Sequence, residues 1–90
     1  MIFDRNEDKE VIALLGAGAM GTAIIRRFAA GRKILLGDIS QKNLDAVAKG
    51  LSYSGYDVET MITDATDKDS IEAFTEYADK LGPVRYYVHT

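Results

Sequence analysis

The segment VIALLGAGAMG at residues 11–21 constrains the fold most strongly, because an apolar run leads directly into three closely spaced glycines. The run at residues 11–15 has no polar position, which is typical of a strand buried on both faces of a parallel sheet. Downstream, Met20, Ile24 and Phe28 recur at helical spacing, with Ala23 and Ile25 beside them, and Gly31 is placed to end the helix. The segment therefore predicts a strand, a tight glycine turn and a helix.

The same alternation continues along the chain. Residues 33–38 (KILLGD) predict a second buried strand, and Ser40 is placed to cap the helix that follows. Residues 58–64 (VETMITD) alternate like a third strand, and a third helix ends at Gly82-Pro83. Residues 84–90 (VRYYVHT), rich in β-branched and aromatic side chains, predict a fourth strand. The apolar stripes are Leu44, Val47, Ala48 and Leu51 in the second helix and Ile71, Phe74, Ala78 and Leu81 in the third.

The βαβαβαβ order predicts an α/β fold of the doubly wound, Rossmann-like class. Right-handed crossovers between parallel strands place helices on both faces of the sheet, which gives three layers. The strand order expected for the first half of such a fold is 3-2-1-4. We therefore expect a parallel sheet that is incomplete relative to the full doubly wound fold.

Composition argues against several functions. The net charge of −3 provides no basic field for nucleic acid. The chain has no cysteine and a single histidine, so we expect no disulfide and no metal site. No apolar run approaches the roughly 20 residues of a membrane span, and the charged first residues do not resemble an export signal. We expect a metal-free cytoplasmic protein that binds neither nucleic acid nor membrane.

Gly16, Gly18 and Gly21 follow the Gly-x-Gly-x-x-Gly pattern of dinucleotide-binding loops. The pattern alone is weak, but here it follows a predicted strand, opens a helix and precedes an acidic residue at the end of the second strand. The first glycine permits the turn, the second admits a pyrophosphate, and the third allows close helix packing. The helix N-terminus adds free N–H groups. The alternative is a turn that needs glycine only for positive φ.

Asp38, seventeen residues after Gly21, is the expected ribose acceptor. A carboxylate at this point accepts hydrogen bonds from both ribose hydroxyls and repels a 2′-phosphate, so the sequence favours NAD over NADP. Lys42 lies near Asp38 in sequence. The alternative is a surface carboxylate ahead of a helix cap. We expect a charged extension at residues 1–10 and a dinucleotide-binding half domain at residues 11–90.

Residues 11–90 resemble the N-terminal, cofactor-binding half of the short-chain dehydrogenase/reductase family. Asp64-Ala65 matches a family position where an Asp meets the adenine amino group. LGPVRYYVHT is similar to the stretch that enters an Asn-Asn-Ala-Gly motif, although His89 and Thr90 replace the two asparagines. The loop also departs, because the family's usual Gly-x-x-x-Gly-x-Gly spacing is one residue longer. Met20 matches the apolar residue between the last two glycines.

The resemblance implies a set of cofactor contacts but no catalytic residue. The implied positions are Gly16, Ala17, Gly18, Ala19, Met20, Gly21, Asp38, Ile39, Asp64, Ala65, His89 and Thr90. The family transfers hydride with a Ser and a Tyr-x-x-x-Lys pair from its second half. No lysine here follows a tyrosine by four positions, and Tyr77 precedes Lys80 by three. We expect the chain alone to be inactive.

Three functions stay open. The first is the NAD-binding portion of such an oxidoreductase, present as a fragment or truncated product. The second is a non-catalytic nucleotide-binding or assembly module. The third is part of an S-adenosylmethionine-dependent methyltransferase, a class that also uses a glycine loop and a following acidic residue. The Asp64 and LGPVRYYVHT matches favour the first. We expect a homo-oligomer, or a missing C-terminal half, to cover the open edge strand at Val84 to Thr90.

Overall fold

A computed structural model describes residues 9–90, with the backbone alone at residues 19 and 20. The predicted alternation of strands and helices is confirmed. Most of the predicted extension at residues 1–10 lies outside the described residues. The elements are β1 (Val11–Leu15), α1 (Ala19–Phe28), β2 (Lys33–Asp38), α2 (Gln41–Tyr53), β3 (Asp57–Ile62), α3 (Lys68–Leu81) and β4 (Val84–His89).

The four strands form one parallel sheet in the order β3-β2-β1-β4, as predicted for an α/β Rossmann-like fold. The register places Leu15 beside Gly37 on one side and beside His89 on the other. The carboxyl ends of three neighbouring strands therefore lie at the same level. Such an edge is where open α/β sheets bind their ligands.

Two apolar clusters cover the two faces of the sheet and produce the predicted three layers. On one face α1 and α2 bury Ile25, Leu44 and Leu51, and on the other α3 buries Phe74 and Ala78. Every residue of β1 is buried, because this strand lies between β2 and β4 and has helices on both faces. None of the helices within residues 9–90 combines the length and apolarity needed to cross a membrane.

The predicted boundaries differ from the structure at three places. α1 ends at Phe28, and Gly31, with φ of 73°, belongs to the turn that follows. β3 occupies residues 57–62 instead of 58–64, because residues 63 and 64 lead into a turn at residues 65–66. β4 ends at His89, one residue earlier than predicted.

The buried stripe of α1 also differs from the prediction. Ile25 and Ala29 are buried, whereas Phe28 is 43% exposed. The Phe28 ring instead lies 5.5 Å from the Tyr86 ring at the side of the sheet. The side of α1 that faces β1 therefore carries Ile25 and Ala29, and Phe28 lies next to β4.

Candidate functional site

A cleft of about 350 Å³ opens at the carboxyl edge of the sheet. It is lined by Leu15, Gly16, Asp38, Ile39, Thr63, Asp64, Ala65, Thr66, His89 and Thr90. Most of the implied cofactor positions thus meet in one cleft, although they follow four different strands. Ala17, Gly18 and Gly21 do not line it and lie in the adjoining loop and first turn of α1, as does the backbone of residues 19 and 20.

The structure explains two of the three loop glycines, by a positive φ at one and by close contacts at both. Gly16 has φ of 104°, and a Cβ built on it would lie 2.8 Å from the Thr90 hydroxyl oxygen. A Cβ on Gly21 would lie 2.9 Å from a methyl group of Leu14, so this glycine lets α1 pack closely on β1. Gly18 has φ of −94°, and no heavy atom lies within 4 Å of a Cβ built there. Neither backbone strain nor packing requires glycine at residue 18.

The N-terminus of α1 differs from those of the other two helices. Gly18, the N-cap of α1, supplies no side-chain hydrogen bond. In α2 and α3 the side chains of Ser40 and Asp67 accept hydrogen bonds from first-turn N–H groups. The first N–H groups of a helix have no partner within it, and they favour an anion. The start of α1 therefore retains donor capacity next to the cleft.

Asp38 forms hydrogen bonds with three separate parts of the chain. Its carboxylate accepts hydrogen bonds from the backbone N–H groups of Ala17, at 2.9 Å, and Ser40, at 2.8 Å. Its backbone carbonyl accepts one from the N–H of Thr63, at 2.9 Å. A carboxylate has about four lone-pair positions, so it can still accept hydrogen bonds from a ligand. This carboxylate is thus held firmly at the cleft with acceptor capacity remaining.

Asp64 forms a tight turn with Thr66 at the opposite side of the cleft. The Asp64 carboxylate accepts hydrogen bonds from the hydroxyl of Thr66, at 2.7 Å, and from its N–H, at 2.9 Å. The hydrogen bond from the hydroxyl is the larger cause, and the one from the N–H the second cause, of a pKa of Asp64 below its usual value, because both bonds stabilise the charged form. The N–H of Asp64 donates to the Ser70 hydroxyl at 2.8 Å, which ties this turn to α3. The carboxylate is ionised across the neutral range.

Thr90 closes the cleft on the β4 side. Its hydroxyl donates to the carbonyl of Gly16 at 3.1 Å, and its N–H donates to the carbonyl of Leu15 at 3.1 Å. His89 is exposed beside it. Within the described part of the chain, no three His, Cys, Asp or Glu side chains come together as a metal site.

Leu15, Thr63 and Thr66 line the cleft but were not predicted. Thr66 carried a signal, because an Asp followed two positions later by a small hydroxyl residue is typical of a side-chain-closed turn. Leu15 is the last residue of the predicted first strand, so its place could have been inferred. Thr63 is fully buried, and its hydroxyl donates to the carbonyl of Met61. Its position depends on the pairing of β3 with β2, which no local pattern encodes.

The strand order, the three layers and the cleft define an α/β segment of the Rossmann-like class. Within that class, the sequence is 32% identical over 80 residues to the short-chain dehydrogenase/reductase bsc3 of Alternaria brassicicola. The match covers 89% of this chain and 29% of that protein. No protein-family model matches the chain.

Solved structures of other proteins have the same fold as this chain. An actinorhodin polyketide ketoreductase solved with NADPH superposes with a TM-score of 0.84 and 25% identity, over 93% of this chain and 33% of the other. A short-chain dehydrogenase/reductase from Burkholderia phymatum in complex with NAD gives a TM-score of 0.77 and 25% identity, over 93% and 31%. The chain is similar in sequence and fold to short-chain dehydrogenases/reductases, and it spans about a third of the length of these relatives.

Proposed function

We propose that residues 11–90 bind NAD as the cofactor-binding portion of an oxidoreductase of this family. Gly18 is the observation that carries the proposal. It lies at the N-terminus of α1, where no side-chain cap is present, and a Cβ there would project into space that no protein atom fills. A pyrophosphate that approaches this backbone closely accounts for the glycine, because a side chain would keep it away.

Asp38 supports NAD over NADP within this proposal. The relatives described above include one solved with NAD and one with NADPH, so kinship alone does not choose between them. The Asp38 carboxylate has acceptor capacity for two ribose hydroxyls and would repel a 2′-phosphate. We expect Ile39 beside the ribose, Asp64 and Ala65 beside the adenine, and His89 and Thr90 at the β4 side of the cofactor.

The role of these residues is binding and orientation. NAD, when bound, supplies a hydride acceptor. The chain has no Tyr-x-x-x-Lys pair to move the accompanying proton, so we propose that these residues alone bind cofactor without turning over a substrate. We propose a cytoplasmic location, with which the lack of cysteine is compatible.

The partner proposed for the β4 edge is a second copy or the C-terminal half of a longer chain. β4 is the last strand in the sheet order, and its Tyr87 is 52% exposed. An apolar cavity of about 240 Å³ between α3 and β4 adjoins it, lined in part by Ile71, Phe74 and Val88. An open strand edge beside an apolar surface favours association.

A Gly18→Ala variant tests the proposal. The folded protein should bind NAD with a dissociation constant of about 0.1 to 5 mM, since the cleft offers contacts to only part of the cofactor. Gly18→Ala should weaken binding about tenfold, because its methyl group enters the pyrophosphate space, and should change the free energy of unfolding by only about 1 kcal/mol. Calorimetry or ligand-observed NMR measures the first quantity and urea unfolding the second.

Gly50→Ala is the matched control. A Cβ on Gly50 also has no heavy atom within 4 Å, but this glycine lies in α2, away from the cleft. The substitution should leave NAD affinity unchanged and stabilise the protein by about 0.5–1 kcal/mol, as expected for Gly→Ala within a helix. The proposal fails if folded protein shows no NAD binding at several times the expected dissociation constant, or if both variants weaken binding equally.

Exchange of the residues beside the ribose tests cofactor preference. Asp38→Ala should weaken NAD binding, because the ribose hydroxyls lose their acceptor. Asp38→Ser combined with Ile39→Arg should move the preference toward NADP, since a guanidinium pairs with the 2′-phosphate. The ratio of the NAD and NADP dissociation constants is the measurement. An unchanged ratio in the double variant would argue against the placement of Asp38 at the ribose.

A further inference from the structure

The peptide group that joins Gly16 to Ala17 is hydrogen-bonded at both ends by side chains. Its N–H, on Ala17, donates to Asp38 Oδ2 at 2.9 Å. Its C=O, on Gly16, accepts from the Thr90 hydroxyl at 3.1 Å. Asp38 ends β2 and Thr90 follows β4, the two strands that flank β1. The first peptide of the glycine loop is therefore held between both neighbouring strands.

The two side chains are themselves fixed by backbone hydrogen bonds. The Thr90 N–H donates to the carbonyl of Leu15 at 3.1 Å, and the Asp38 carbonyl accepts from the N–H of Thr63 at 2.9 Å. On the other side of the peptide, the Gly16 N–H donates to the carbonyl of Gly37 at 2.7 Å. The sheet ladder thus continues past the strand ends and anchors both groups.

Gly16 provides a second, independent observation. A Cβ on this residue would lie 2.8 Å from the Thr90 hydroxyl oxygen and 3.0 Å from the Thr90 carbonyl oxygen. Real Cβ atoms essentially never approach other atoms as closely as the first of these distances. Glycine at residue 16 therefore serves the approach of Thr90 as well as the positive φ.

We propose that Asp38 and Thr90 are positioning residues that hold the Gly16–Ala17 peptide in one orientation. Because the Ala17 N–H already donates to Asp38, it does not donate to a phosphate. The anion is therefore bound by the N–H groups from Gly18 onward. The last step rests on the proposed function. Asp38 then has two tasks, since the carboxylate that receives the ribose also sets the shape of the phosphate loop. A substitution that removes this carboxylate in order to change cofactor preference therefore also removes the hydrogen bond that holds the loop.

Amide hydrogen exchange in the ligand-free protein tests the Asp38 half. Asp38→Ala should accelerate exchange at Ala17 and Ser40 by about tenfold or more, because both N–H groups lose their acceptor. Asp38→Asn has one acceptor oxygen instead of two, so it should accelerate exchange at one of the two amides, which keeps the test open if the alanine variant does not fold. The exchange rates of the Ile12 and Ile34 amides, which lie in the core strands, should stay unchanged, and they control for a general loss of stability.

Thr90→Val and Thr90→Ser test the other half. The amide ¹⁵N resonance of Ala17 responds to a hydrogen bond on the carbonyl of the same peptide group, so Thr90→Val should shift it. Thr90→Ser, which keeps the hydroxyl, should restore it. The proposal is overturned if both Asp38 variants leave Ala17 exchange unchanged, if Thr90→Val leaves the resonance unmoved, or if serine fails to restore it.

Titration with NAD then separates this proposal from the previous one. Amide shifts should be largest from Gly18 to Gly21, and Ala17 should keep its exchange protection. Loss of that protection on binding would overturn the assignment of Ala17. An absence of NAD binding would contradict the proposed function alone, because the ligand-free measurements do not depend on it.

Discussion

Phe74 of α3 lies directly over Gly37, near the end of β2. A Cβ built on Gly37 would lie 2.6 Å from Phe74 Cε1, and another ring carbon would be 2.9 Å away. Phe74 is 2% exposed and belongs to the apolar cluster on this face of the sheet. The absence of a side chain at residue 37 lets α3 pack close to the sheet one residue before Asp38.

Gly37→Ala should therefore destabilise the protein by about 1–3 kcal/mol, the usual cost of an overpacked core. Phe74→Leu alone should also destabilise it, but the double variant should lose less than the sum, because the shorter side chain makes room for the added methyl group. We expect urea unfolding of the four proteins to give a coupling free energy of about 1 kcal/mol. Strictly additive losses would show that the ring does not limit residue 37.

A polar cluster connects β2, β3 and α3 on the face covered by α3. The parallel register places Lys33 beside Asp57, and the Lys33 ammonium lies 3.5 Å from its carboxylate and 3.2 Å from that of Glu59. The Tyr77 hydroxyl donates to Glu59 at 2.5 Å. Burial alone lowers the pKa of Lys33, but the two carboxylates outweigh it and raise this pKa overall. The hydrogen bond to Glu59 is the main cause of a raised pKa at Tyr77.

This cluster predicts a loss of stability at alkaline pH. Both groups bind their protons more tightly in the folded protein, so their contribution is complete below the ordinary values of 10.5 for Lys33 and 10.0 for Tyr77. It is lost as pH rises through the raised folded-state values. The thermal midpoint should fall above about pH 10, and Tyr77→Phe should reduce that fall. Tyr53→Phe, at a side chain 94% exposed, is the control and should not change it. Identical pH profiles for all three proteins would contradict the assignment.

The sequence predicted those features that a local pattern encodes. β1 and β2 have the predicted bounds because each contains a continuous apolar run and is followed by a turn. Asp38 could be placed at the cleft because it ends such a run. The stripe of α1 was predicted only in part, because Ile25 is buried but Phe28 is 43% exposed, and packing against β1 decides between these apolar residues. The bond from Ala17 to Asp38 was also beyond prediction, because it depends on a contact between residues 21 positions apart.

The two edges of the sheet differ in how they are protected. β3 carries Asp57 and Glu59, whose charges are paired with lysines. β4 instead presents Tyr87, which is 52% exposed, beside an apolar cavity. Charged side chains hinder the addition of another strand, whereas an open apolar edge invites it. Association of the whole molecule should therefore occur through β4.

Sedimentation at micromolar concentration tests this expectation. We expect self-association, since exposed apolar surface is unfavourable by about 25 cal/mol per Å². Tyr87→Lys should weaken it by adding charge to the edge strand, whereas Tyr53→Lys, in the last turn of α2, should not. A monomer that is stable and unfolds cooperatively would contradict the proposal and would favour an independent nucleotide-binding module.

The pairing of β1 with both β2 and β4 also sets the order in which the molecule can form. β1 pairs with β2 across a short βαβ connection, but its contact from Val11 to Val84 closes a far longer loop. Closing a long loop has an entropic cost that must be met before its contacts stabilise the chain, so we expect this pairing to form more slowly than the pairing of β1 with β2. During synthesis from the N-terminus, β1 is made before the three other strands of this sheet, yet its pairing is completed only when β4 has been made. Until β4 arrives, one edge of the future core is open to chaperones or to aggregation.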